Sequence, residues 1–127
     1  MGFELVQNDS QRQGTILVVE NEPGLLRVVS AHLGRKGYRV LASRSPEEAF
    51  QHWSRNQEEI DLLLTDLELE AELNGAELAA ILVQQKPTLR IVYMSGGHFH
   101  LLGPGSCEGQ RLEKPFTSQA LLAAVER

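Results

Sequence analysis

Cysteine is nearly absent. Among 127 residues Cys107 stands alone, so no internal disulfide can form, which agrees with a reducing compartment. Long apolar runs are missing too, and none approaches the roughly 18 residues needed to cross a bilayer. Basic residues are in the minority, with 12 Lys and Arg against 17 Asp and Glu and a net charge of −5. They are also scattered, which argues against a nucleic-acid surface, because neutralising phosphates requires clustered Lys and Arg. The opening Met1 to Gly14 lacks the basic-then-apolar order of a secretory signal, and Val6 spoils N-myristoylation of Gly2. A cytoplasmic protein with no membrane or nucleic-acid partner is therefore expected. What is present, 42% hydrophobic and 23% charged residues, marks a globular chain rather than a disordered one, and the length suits one domain. Residues 1–13, rich in Gln, Asn, Asp and Ser, read as a tail or linker.

The organising stretch is Ile60-Asp61-Leu62-Leu63-Leu64-Thr65-Asp66, an apolar run of strand length closed by a carboxylate. Consecutive apolar residues suit a strand buried on both faces, as in a parallel sheet covered by helices. Thr15-Ile16-Leu17-Val18-Val19-Glu20 repeats the pattern, Tyr38 to Ala42 and Leu89 to Met94 give two further strands, and Leu112 marks a brief last one.

Helical signals alternate with these strands. Pro23 opens a helix reaching about Lys36, with Leu26, Val29 and Leu33 on one face and Gly37 as its stop. Ser45-Pro46-Glu47-Glu48 combines an N-cap, a first-turn proline and first-turn acids, and Phe50 and Trp53 follow as core anchors. Gly75 to Gln85 carries Leu78, Ile81 and Leu82 and ends before Pro87, while Thr117 or Ser118 caps a final helix with Leu121, Leu122 and Val125. Between Ser95 and Arg111 six Gly and Pro residues leave room for a turn at most, near Phe99 to Leu102, so the fourth helix should be short or missing and the loop mobile. Five strand–helix repeats predict a right-handed, doubly wound parallel α/β sheet.

In such sheets chemistry collects beyond the carboxyl ends of the strands. Glu20 and Asn21 after the first strand, Asp66 after the third, Ser95 after the fourth and Lys114 after the fifth should share one crevice. Carboxylate and amide oxygens suit Mg²⁺, which takes one or two protein carboxylates and keeps several waters. A carboxylate beside such an ion is a suitable nucleophile for phosphoryl transfer, while a lysine and a serine hydroxyl can contact phosphoryl oxygens. Asp66 is the candidate acceptor.

The phrases Ile16 to Pro23, Leu63-Leu64-Thr65-Asp66, Asn74 to Leu78, Met94-Ser95-Gly96 and Lys114-Pro115-Phe116-Thr117 together resemble the receiver domains of two-component response regulators, most of all those associated with hybrid histidine kinases. The resemblance covers residues 14–127 and implies a flavodoxin-like five-stranded sheet of order 2-1-3-4-5. It implies Asp66 as phosphoacceptor, Glu20 and Asn21 as the metal-side pair, Glu68 as a backbone-carbonyl ligand to Mg²⁺, and Ser95 and Lys114 as phosphoryl contacts. It also implies a histidine kinase or histidine phosphotransfer protein as the donor, and no enzymatic activity beyond assisting the domain's own phosphorylation and dephosphorylation. No output domain follows before Arg127, so output is expected through a partner or a longer parent, and the oligomeric state stays open.

The chain departs from that family at three places. Asn21 replaces the usual second acid, a lost charge worth roughly 1–3 kcal/mol of Mg²⁺ affinity at an effective dielectric near 20. Glu70 stands where a proline is common, and Arg111 stands where the family carries a switch aromatic. These departures motivate the alternative of a pseudo-receiver, an interaction module working without phosphorylation. A hydrolase is disfavoured because Glu68, two residues after Asp66, has no role separable from its loop. His98, His100 and Cys107 lack an evident fourth metal ligand and read as exposed loop residues, as does the acidic run Glu68 to Glu72.

Overall fold

Neighbouring residues of a strand point to opposite faces of its sheet, so unbroken apolar runs need cover on both sides. The computed structural model describes residues 13–127 and meets that need with five parallel strands between two helical layers; of the expected tail at 1–13, residues 1–12 lie outside the described residues and Gln13 donates its N–H to the Gly37 carbonyl at 3.0 Å. The strands are β1 (Gly14–Val19), β2 (Tyr38–Ser43), β3 (Ile60–Asp66), β4 (Arg90–Ser95) and β5 (Gln110–Glu113). Their order is β2-β1-β3-β4-β5 with every pairing parallel, the flavodoxin-like order expected. The helices are α1 (Pro23–Arg35), α2 (Pro46–Asn56), α3 (Gly75–Gln85) and α4 (Ser118–Glu126).

Alternation along the strands divides the core in two. Ile16, Val18, Leu62, Leu64, Val92 and Met94 pack with Leu26, Val29 and Leu33 of α1 and Leu121 and Val125 of α4. Leu17, Val19, Leu63, Ile91 and Tyr93 pack on the other face with Ala49 and Trp53 of α2 and Leu78, Ala79 and Leu82 of α3. Trp53 is fully enclosed and donates its indole N–H to Gln85 Oε1 at 2.8 Å, whereas Phe50 packs against this core only partly buried.

Side-chain oxygens satisfy the orphan amides at the helix starts. Glu22 accepts from Gly24 and Leu25, Ser45 accepts from Glu48, and Asn74 and Glu77 form a reciprocal capping box. Of the two candidate caps for the last helix, Thr117 takes the role by accepting from Ala120 at 3.0 Å.

The fourth crossover has no α-helix; its regular part is a single 3₁₀ turn at Phe99–Leu101. The loop is nonetheless tied to the sheet. Tyr93 donates its hydroxyl to the Cys107 carbonyl at 2.8 Å, and Phe99, Leu101, Leu102 and Cys107 pack against the core that α2 and α3 cover. Burial pushes the Tyr93 hydroxyl pKa up to about 12, so it remains a donor at neutral pH.

Lys86 performs a fastening role that periodicity does not reveal. Its Nζ donates to the carbonyls of Gln57, Glu58 and Ile60 at 3.0, 3.1 and 2.6 Å, joining the end of α3 to the entrance of β3. Lys86→Met keeps the aliphatic stem but loses those charge-assisted bonds. It is expected to lower unfolding free energy by about 1–2 kcal/mol in urea titrations, whereas unchanged stability would show that water replaces the ammonium without cost.

Candidate functional site

All five strands run the same way, so their carboxyl ends share one edge. Asp66 is the last residue of β3 and Glu20 follows β1; both are buried, at 6% and 1% exposure. Lys114 follows β5 and reaches back over the edge, placing Nζ 2.7 Å from Glu20 Oε1 and 3.3 Å from Asp66 Oδ2. Backbone bonds hold the three ends in place. Lys114 N–H donates to the Ser95 carbonyl at 2.8 Å, Leu67 N–H to that of Met94 at 2.9 Å, and Glu20 N–H to that of Ser43 at 3.0 Å.

The remaining carboxylate oxygens are also engaged. Glu20 Oε2 accepts from Glu22 N–H at 2.9 Å, and Asp66 Oδ1 accepts from Glu68 N–H at 3.3 Å. Ser95 closes β4 and is buried; its Oγ accepts from His98 N–H at 2.7 Å, which leaves the hydroxyl hydrogen as a donor. Of the six residues expected here, Glu20, Asp66 and Lys114 are in direct contact, with Ser95 at the end of the adjoining strand. The side chains of Asn21 and Glu68 turn to other partners. Asn21 Nδ2 donates to Glu70 Oε2 at 2.5 Å, and Glu68 Oε1 lies 2.7 Å from His98 Nε2.

Two carboxylates around one ammonium leave a net negative charge in a partly dehydrated place. Burial raises the Asp66 pKa above the ordinary aspartate value, and the Glu20 charge adds to this despite the opposing pull of Lys114. The Lys114 pKa is raised as well, which for an amine favours the charged form. Burial works against its charged form, but the hydrogen bond to Glu20 and the charge of Asp66 outweigh it, and the pKa rises. The two directions are consistent, because the lysine has two acids to satisfy it and Asp66 has one cation and one rival anion.

The donor chemistry fits a small hard dication. Glu20 and Asp66 offer only oxygens and carry an uncompensated charge, which matches the few carboxylates that Mg²⁺ takes. Among the described residues no group of three or more His, Cys, Asp and Glu is placed to hold a metal, so His98, His100 and Cys107 do not form a zinc-type site. The rings of His98 and His100 lie 5.6 Å apart, and His98 pairs with Glu68 instead.

Periodicity left two contributors unseen. Gly75 opens α3, and a Cβ there would lie 2.1 Å from the Asp66 carbonyl oxygen and 3.0 Å from Leu67 Cα. Only a residue without a side chain lets α3 start so close to Asp66. His98 is the other, with its backbone on Ser95 and its ring on Glu68; the signal available was its place three residues after Ser95.

The response regulator receiver domain family matches residues 16–126, and the chain belongs to it. The response regulator receiver protein CpdR of Brucella abortus is 31% identical over 116 residues, covering 88% of this chain and 93% of CpdR. A receiver protein structure from Sinorhizobium medicae superposes with a TM-score of 0.78 at 30% identity, covering 89% of this chain and 91% of that one. The receiver domain of the hybrid histidine kinase CckA superposes with a TM-score of 0.75 at 28% identity, covering 89% and 96%. Against the transcriptional regulatory proteins GlrR and QseF of Escherichia coli, both 28% identical, the chain spans about a quarter of their length, 26%.

Gly75→Ala forces β-carbon and backbone apart and is expected to cost about 2–4 kcal/mol of unfolding free energy, read by urea denaturation. Asp66 carries the opposite sign. Its folded pKa lies above its unfolded value, so the native state binds the proton more tightly and loses stability as pH rises between the two values. Asp66→Asn is therefore expected to raise the Tm of the metal-free protein at neutral pH, with the gain vanishing below the ordinary aspartate pKa. A gain that grew on acidification would contradict this.

Proposed function

We propose that this receiver domain accepts a phosphoryl group onto Asp66 from the phosphohistidine of a histidine kinase or histidine phosphotransfer protein, with Mg²⁺. The observation that carries the reading is the Lys114 bridge between Glu20 and Asp66 at the strand ends. An Asp66 carboxylate oxygen forms the new bond to phosphorus while the phosphorus–nitrogen bond breaks and the histidine nitrogen keeps the electron pair. Lys114 exchanges a carboxylate partner for a phosphoryl oxygen, an equally charge-assisted contact, and the Ser95 hydroxyl supplies a further donor. Glu20 and Asp66, with the Asn21 amide oxygen and the Glu68 carbonyl, are the groups that would hold Mg²⁺, which supplies neutralising charge for the transferring group. The protein assists its own phosphorylation and dephosphorylation and turns over no other substrate.

Incubation with a small phosphodonor and Mg²⁺ is expected to raise the intact mass by one phosphoryl group, and Asp66→Asn or removal of the metal to abolish the gain. A folded wild-type protein that gains no mass, yet binds a kinase partner equally well as Asp66→Asn, would favour the interaction-module reading prompted by Asn21 and Arg111.

A further inference from the structure

Glu70 is exposed and lies four residues beyond Asp66, in the loop between β3 and α3. Two features set it apart. Its backbone φ is +49°, and among the described residues it is the non-glycine recorded with a positive φ. Such backbone is strained for a residue with a Cβ and persists where surrounding contacts over-determine it. Its carboxylate also reaches across 49 positions to accept from the Asn21 amide nitrogen at 2.5 Å. Asn21 and Glu70 line one cleft of about 820 Å³ with Arg44, a stronger partner for a carboxylate. Arg44 is bound instead to Glu48, through its amide at 2.8 Å and its guanidinium at 3.4 Å, and Glu70 turns to the amide.

An asparagine side chain has two ends with opposite chemistry. The oxygen ligates a cation and the NH₂ group repels one, so an amide beside a cation site must be sorted. A carboxylate that binds the NH₂ leaves the oxygen on the opposite edge. We propose that Glu70 is a positioning residue for the cation site: it holds the nitrogen of Asn21 so that the amide oxygen faces a divalent cation, and its own charge replaces the one that an amide at position 21 lacks. The inference rests on the Mg²⁺-assisted reading above. It makes Asn21 and Glu70 a unit that does the work of one acid, and it gives the strained backbone of Glu70 a reason.

Isothermal titration of the full chain with MgCl₂ tests this without any phosphodonor. Glu70→Ala removes both orientation and charge and is expected to weaken Mg²⁺ binding about tenfold. Glu70→Gln keeps an oxygen for the Asn21 amide and is expected to weaken it only about threefold. In an Asn21→Asp background no amide needs sorting, so adding Glu70→Ala is expected to cost about threefold rather than tenfold. Equal Mg²⁺ affinity of wild type and Glu70→Ala overturns the proposal, and so does an equal factor in both backgrounds, which would mark a general field or loop effect. A wild type that binds no Mg²⁺ overturns the phosphoacceptor reading itself, so the two failures are told apart by the wild-type titration alone.

Discussion

Two acids share one ammonium at the carboxyl edge of the sheet, and the rest of the molecule can be understood as holding that arrangement in place. Glu20 and Asp66 are buried, Lys114 lies within hydrogen-bond reach of both, and the trio carries a net negative charge. Buried charge without compensation is costly, so the trio persists only because the surrounding structure is more stable than the trio is unfavourable. A cation bound there would change the local charge count, and the same three side chains would then redistribute their contacts.

The fold supplies this edge through directions rather than through special side chains. Parallel pairing places the ends of all five strands along one edge, where backbone bonds tie the residues after β3 and β5 to β4 and the residue after β1 to β2. Gly75 brings the start of α3 against the Asp66 carbonyl. The capping box of Asn74 and Glu77 then fixes where that helix begins, so the loop between Asp66 and the helix has defined limits at both ends. Within those limits Glu68 turns to His98 and Glu70 to Asn21, linking this loop to the segments after β4 and β1.

The fourth crossover shows how a receiver fold accommodates a missing helix. Apolar residues of the loop cover part of the sheet face that a helix would otherwise cover, and Tyr93 pins the loop through the Cys107 carbonyl. Arg111, at the position where the family resemblance leads one to expect an aromatic, is exposed and lays its guanidinium over the Phe99 ring at 5.6 Å from the centroid. The ring at this surface thus comes from the loop rather than from position 111 of β5, which alters the surface around that strand.

Strand positions, helix starts and the absence of a fourth helix were legible because they follow from local pattern, whereas the sheet order came from the family resemblance. A strand buried on both faces must be apolar at consecutive positions, a first-turn proline suits a helix N-terminus, and a run of glycines resists helix. The grouping of Glu20, Asp66, Ser95 and Lys114 at one edge was legible for the same reason, since parallel topology dictates where strand ends fall. Which cap the last helix uses, the anchoring of Lys86 on three carbonyls, the need for glycine at 75 and the pairings of Glu68 with His98 and Asn21 with Glu70 were not. The Lys86, Glu68–His98 and Asn21–Glu70 contacts depend on distances between segments far apart in the chain, the last cap and Gly75 on the exact path of a local turn or loop, and hydrophobic periodicity carries no information about either. The amino-acid order by itself therefore determined the scaffold and the edge where its chemistry gathers. Tertiary structure alone decided how charge is distributed along that edge, because Coulombic and hydrogen-bond energies depend on ångström-scale separations that exist only once the chain has folded.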